Sequence, residues 1–173
     1  MNIDRFVGSW KLISFELHRG NSYYRKSGGE AGPYPTDPRR YGGAFPIKPD
    51  EEIIFPIGQA PDGCLMYDEK GNMSAMIARA ERPLMNTVER TCASIKEKGA
   101  AFDSFEAYFG VVHSIDETEK VITHRIGQAL FPNWTGSLQK RFYSFKGDRL
   151  ELSTPPMEYA GNRAIAVLLW ERL

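Results

Sequence analysis

Between Lys120 and Pro156 three extended stretches follow one another with their turns written between them, in KVITHRIGQALFPNWTGSLQKRFYSFKGDRLELSTPP. In Lys120–Ile126 the residues Val121, Ile122, Thr123 and Ile126 are β-branched and favour a pleated strand. Pro132, Asn133 and Gly136 then break any regular pattern. Aromatic residues recur through Lys140–Phe145, and Lys146, Gly147 and Asp148 turn the chain into Arg149–Ser153. A helix would space its apolar residues three or four apart; here they fall mostly two apart. Three sequential antiparallel strands leave few fold classes open.

The rest of the chain extends this pattern. Gly8–Leu17 reads as a strand with Trp10, Leu12, Ser14 and Glu16 on one face and Lys11, Ile13, Phe15 and Leu17 on the other. Met1–Val7 is expected to form a plug with Phe6 turned inward. Gly63–Tyr67 and Asn72–Ala78 form a hairpin around Asp68–Gly71, and Phe105–Ser114 is a further strand. In the closing strand Ala164, Ala166, Leu168 and Trp170 share one side. The recurrence of Met85, Val88, Cys92 and Ile95 predicts a helix over Asn86–Lys98 with Gly99 as its stop. About eight strands with mostly short antiparallel links imply an all-β, up-and-down barrel, which closes its edges and can keep a cavity; a two-layer sandwich competes.

Residues 21–54 interrupt the pattern as an insertion after the first strand, dense in Pro and Gly and carrying Tyr23, Tyr24, Tyr34 and Tyr41. Three roles suit so long a connection: a surface loop, a pocket lid, or an oligomer contact that would make the protein a homodimer. One domain, 1–173, is expected from a length of 173 residues. Twenty-two basic residues balance twenty-two acidic ones, so no global field gathers nucleic acid or an anionic membrane. No apolar run approaches the roughly 18–20 residues of a membrane span. With two cysteines and no export signal in MNIDRFVGSW, a reduced cytoplasmic protein is expected.

Several segments carry a resemblance. Gly8-Ser9-Trp10 looks like the glycine-x-tryptophan start of a lipocalin barrel. FPIGQAPDGCLMYDEKGNMSAMIARAERP, AYFGVVHSIDETEKVITHRI, LFPNWTGSLQKRFYSFKGDRLELSTPP and the closing LLWER resemble the lipocalin-like domain family of small intracellular bacterial and fungal proteins. The likeness runs over Gly8–Leu17 and most of Phe55–Arg172. It implies a calycin-type barrel with a cavity, and an arginine near the end of the last strand, Arg172, covering the Trp10 ring. It implies either a carrier of apolar molecules or a cyclase or isomerase of a biosynthetic pathway, and no catalytic set.

Candidate site residues follow from chemistry and parity. His124, flanked by the apolar Ile122 and Ile126, is expected to face the cavity and is the best candidate for a general base, since free imidazole titrates near pH 6.5. Arg141 offers two directed donors to an enolate, carboxylate or carbonyl oxygen, or else snorkels outward. Tyr108 and Tyr143 are phenolic donors or core aromatics. Asn133 caps the turn after the strand of His124 or contacts the ligand, and Trp134 walls the cavity or packs. Met76 is a further ligand contact. The carboxylates Glu16, Glu106 and Asp103 are candidates for paired acid and base chemistry, and Glu16, which shares the parity of Trp10, is expected inward as a catalytic group or as one half of a structural ion pair with Arg141 or Arg172. The three histidines lack metal-ligand spacing, and no nucleophile elbow, CxxC or phosphate loop occurs, so neither metal nor cofactor is expected.

Two function classes stand nearly level, and the resemblance to pathway proteins together with the long insertion tilts the expectation toward the first. One is a cofactor-independent isomerase or cyclase acting on a hydrophobic polyketide or terpenoid intermediate. The other is a non-catalytic carrier of a small hydrophobic molecule. A third, a regulatory partner, would use Ala44–Phe55 as an added edge strand.

Overall fold

The computed structural model describes residues 3–20 and 51–173, and the expectations for residues 21–50 lie outside them. Among the described residues ten strands occur in chain order: β1 (Gly8–Gly20), β2 (Glu51–Ile54), β3 (Pro61–Tyr67), β4 (Asn72–Arg79), β5 (Phe105–Asp116), β6 (Val121–Ala129), β7 (Leu138–Lys146), β8 (Arg149–Ser153), β9 (Met157–Tyr159) and β10 (Asn162–Arg172). Eight of them run β1-β3-β4-β5-β6-β7-β8-β10, and antiparallel pairing of β1 with β10 closes the ring. The architecture is an eight-stranded antiparallel barrel of lipocalin type, as expected, and not a sandwich. β2 pairs with the far end of β1, and β9 with the start of β10.

Closure needs long strands that bend, and β1 bends at a bulge. Its register against β10 shifts between Leu12 and Ser14. An extra residue reverses the side-chain alternation. Trp10 and Leu12 are buried before the bulge, Phe15 and Leu17 after it. The uninterrupted parity expected for Gly8–Leu17 therefore fails at Ile13, and Glu16 is turned to the outer face, where its carboxylate bonds Nε2 of His18 at 2.9 Å.

The floor of the barrel is aromatic. Phe6, 2% exposed, lies edge-on to Tyr143, Phe145 and Tyr67 with ring centroids 4.9, 5.0 and 5.6 Å away. Its carbonyl accepts the indole hydrogen of the fully buried Trp10 at 2.8 Å. The Arg172 guanidinium covers the Trp10 ring 4.1 Å from its centroid, so that expectation holds. The hairpin turns β3–β4, β5–β6 and β7–β8 lie at this end. The links β4–β5, β6–β7 and β8–β9–β10 lie at the other, as do the end of β1 at Gly20 and the start of β2 at Glu51.

The predicted helix over Asn86–Lys98 is displaced. A 3-10 turn covers Arg90–Cys92 and the helix α1 spans Ile95–Asp103, with Gly99 inside it. The apolar spacing misled because Val88 and Ile95 are exposed and α1 buries no side chain. Its start is fixed by a capping box: Ser94 accepts from the Glu97 amide while the Glu97 carboxylate accepts from the Ser94 amide.

Candidate functional site

Above the aromatic floor the interior holds polar groups from four strands. Cross-strand register puts Ala75 opposite Tyr108, Ile77 opposite Glu106, His124 opposite both Val112 and Gln139, and Arg141 opposite Ile122. Ala75, Ile77, Val112 and Ile122 are core residues, so Tyr108, Glu106, His124, Gln139 and Arg141 share the inward parity. Tyr67, on β3, reaches His124 on β6 across the interior, with Oη 3.0 Å from Nε2.

Proton bookkeeping orients that pair. Burial pushes the Tyr67 hydroxyl well above its usual range, so it keeps its hydrogen. Burial, aided by the Arg141 charge, holds His124 neutral down to about pH 3. His124 Nε2 is the partner of the hydroxyl, and Nδ1 has none among the described residues. If Nε2 donated, both the hydroxyl hydrogen and the Nδ1 lone pair would go unsatisfied; if Tyr67 donates, only Nδ1–H does. The second arrangement costs less, because each unmade buried bond costs about 1–3 kcal/mol.

Arg141 donates from Nη2 to Oε1 of Gln139 at 2.6 Å and from Nη1 to the Lys140 carbonyl at 2.9 Å. Among the described residues no carboxylate lies within salt-bridge distance of it. Its charge is felt by Tyr67, His124 and Glu106 alike, which marks it as the centre of the polar group. Burial pushes the Glu106 carboxyl above its ordinary value, against the pull of Arg141.

The residues chosen from sequence divide. His124, Arg141 and Tyr108 are brought together. Trp134 stands at the lip, edge-on to Tyr108 at 6.1 Å and to Phe131 at 5.8 Å. Tyr143 belongs to the floor, where its ring packs on Phe6. Met76 lies on the outer face, opposite Cys64 and Ala107, because it alternates with the buried Ala75 and Ile77. Asn133 is exposed within the turn Pro132–Trp134, whose flanking positions carry no side-chain cap, so the capping role fails. Glu16 lies outside the barrel. Tyr67 and Gln139 were missed, although Gln139 is two residues from Arg141 and therefore shares its face in a strand.

Among the described residues no group of three or more His, Cys, Asp or Glu side chains is disposed to hold a metal ion. An imidazole that stays neutral down to about pH 3 is a weak base at neutrality. The inward face offers hydrogen-bond donors at Arg141 and Tyr108 and a carboxyl at Glu106, set among apolar neighbours.

A closed eight-stranded barrel with apolar walls and a few inward polar groups is the architecture of small-ligand binding proteins. Residues 46–173 match the lipocalin-like domain family, and the chain belongs to it. It is also similar to the 4'-hydroxy-3'-methoxypropiophenone carrier protein of Aspergillus oryzae (strain ATCC 42149 / RIB 40), at 30% identity over 107 residues, 58% of this chain and 96% of that protein. No solved structure gives a significant match.

Proposed function

We propose that the protein is a non-catalytic carrier that encloses a small hydrophobic, oxygen-bearing molecule in its barrel. The observation that carries this reading is Arg141, an inward cation with no carboxylate in salt-bridge contact among the described residues, set among apolar walls with Tyr108 and Glu106. Such a site orients a ligand by one oxygen and holds the remainder by apolar contact. The relative from Aspergillus oryzae is named as a carrier of a hydroxylated, methoxylated aryl ketone, and a ligand of that class suits these groups. The isomerase or cyclase reading needs a base near neutrality, and His124 is held too acidic for that.

The test is titration of the purified protein with phenolic aryl ketones, followed by recovery of the ligand for mass spectrometry. Stoichiometric binding with the ligand returned unchanged supports the carrier. Conversion at substoichiometric protein would restore the isomerase reading.

A further inference from the structure

At the mouth of the barrel a cleft of about 190 Å³ opens between α1, the start of β5 and the link from β6 to β7. Four aromatic residues line it: Phe102 from α1, Phe105 from β5, and Phe131 and Trp134 from the link. One wall is firmly built. The Leu130 amide donates to the Ala107 carbonyl at 2.7 Å, and the Ser137 hydroxyl and amide both donate to the Trp134 carbonyl, at 2.6 and 3.0 Å. The opposite wall is Phe102, on a helix that buries no side chain of its own.

The size is informative. An apolar cavity of about 150 Å³ stays dry and takes up benzene. A cleft slightly larger matches one six-membered ring with a small substituent better than two fused rings. Aromatic walls favour an aromatic guest through edge-to-face contact. The polar handle is Glu106, half-buried on this cleft, whose carboxyl has no hydrogen-bond or ion-pair partner among the described residues. Asp103 lines the same cleft but is exposed and water satisfies it. A half-buried carboxyl without a partner is costly, and a ligand hydroxyl would satisfy it.

We infer that this cleft seats a single phenolic ring, with Glu106 accepting the hydrogen of its hydroxyl. The inference rests on the carrier reading and adds the seat of the ring and the partner of its hydroxyl. Ring contacts come from Phe102, Phe131 and Trp134. The hydroxyl makes the site discriminate a phenol from its methyl ether, because the ether leaves Glu106 unsatisfied.

The experiment titrates the full chain, by calorimetry and by tryptophan fluorescence, with 4-hydroxyacetophenone, 4-methoxyacetophenone and 6-acetyl-2-naphthol. The phenol is expected to bind at least tenfold more tightly than the ether or the fused-ring phenol. Glu106→Gln should weaken the phenol about fivefold or more and leave the ether unchanged. Phe131→Ala, which removes one aromatic wall, should weaken the phenol by about fivefold or more. If wild-type protein binds the three ligands equally, or if both variants bind the phenol like wild type, the ring sits elsewhere in the barrel. The inference then falls while the carrier reading stands. If the wild-type protein binds none of the three, both readings fall.

Discussion

The Tyr67 hydroxyl and the His124 imidazole meet across the barrel interior at 3.0 Å, joining β3 to β6 over the two strands between them. Both side chains are buried, so the bond is made without competition from water. His124 is therefore better understood as a neutral strut than as a proton carrier.

This has a definite pH signature. The folded imidazole titrates at about 3, while in the unfolded chain it titrates near 6.5. Below pH 6.5 the unfolded state takes up a proton that the native state refuses, so stability is intact above 6.5 and falls as pH drops toward 3. The full loss is on the order of 5 kcal/mol at 1.36 kcal/mol per pH unit. In His124→Leu that component of acid sensitivity should vanish, while the orphaned Tyr67 hydroxyl costs about 1–3 kcal/mol at pH 7. Urea unfolding at pH 7, 5.5 and 4.5 checks both, and an unchanged acid slope in the variant would refute the buried-neutral assignment.

Gly8 and Arg172 form a second coupled pair. Gly8 has φ +127°, in a region that side chains rarely adopt, and a Cβ there would sit 2.9 Å from Nη1 of Arg172. That nitrogen donates to the Val7 carbonyl and Nη2 to the Arg5 carbonyl, both at 2.7 Å, while the guanidinium covers Trp10. Gly8→Ala should cost about 1–3 kcal/mol through strain. Arg172→Lys should cost a similar amount, since an ammonium cannot cover the indole and reach both carbonyls in one plane. Thermal unfolding should show Tm lower by roughly 3–10 °C in each.

On the outer face, burial raises Glu151 to about 7; the nearby Glu16 charge adds to the shift and His18 opposes it. A raised carboxyl favours the folded state when protonated, so its contribution is present below about pH 4.5 and is lost as pH rises through 7. Glu151→Gln keeps the neutral shape at every pH. Its Tm should exceed that of the wild type at pH 8 and match it at pH 5, and the reverse order would contradict the assignment.

Much of this was legible in the residues. Strands appear wherever apolar residues alternate, and Pro132, Gly136 and Gly147 mark turns that the structure contains. Legibility ended where register changed. The bulge after Leu12 moved Glu16 outside, because alternation counts residues and a bulge inserts one unpaired. β6 and β7 pair without a shift from Val121 to Arg125, so His124 lies inward as its alternation with Ile122 and Ile126 implies, and Arg141, for which the residues alone left outward snorkelling open, shares that parity. Tyr67 escaped notice because its importance lies in a contact with a strand that is not its neighbour, which no periodicity encodes.

The last prediction concerns α1, whose attachment is polar throughout. No side chain of the helix is buried, and its two ends are held by different residues. At the start, Glu97 accepts from the Asn86 amide and side chain at 2.8 and 3.0 Å and from the Ser94 amide and hydroxyl at 2.9 and 2.6 Å. These donors hold its carboxyl at about 2. At the finish, Arg82 donates to the Ser104 hydroxyl at 3.0 Å and to the Ala101 carbonyl at 3.1 Å. Without apolar burial, a helix of nine residues has little stability of its own. Ser94→Ala, worth about 1 kcal/mol at such a cap, should therefore speed amide hydrogen exchange across 96–103 severalfold, and Arg82→Ala should do the same from the other end. Exchange in β6 should be unaffected by either. Since Phe102 forms one wall of the cleft, a bound phenol should slow exchange in α1 and partly reverse both variants. If α1 exchange is as slow as that of the barrel strands in wild type and variants alike, something other than these two polar ends holds the helix.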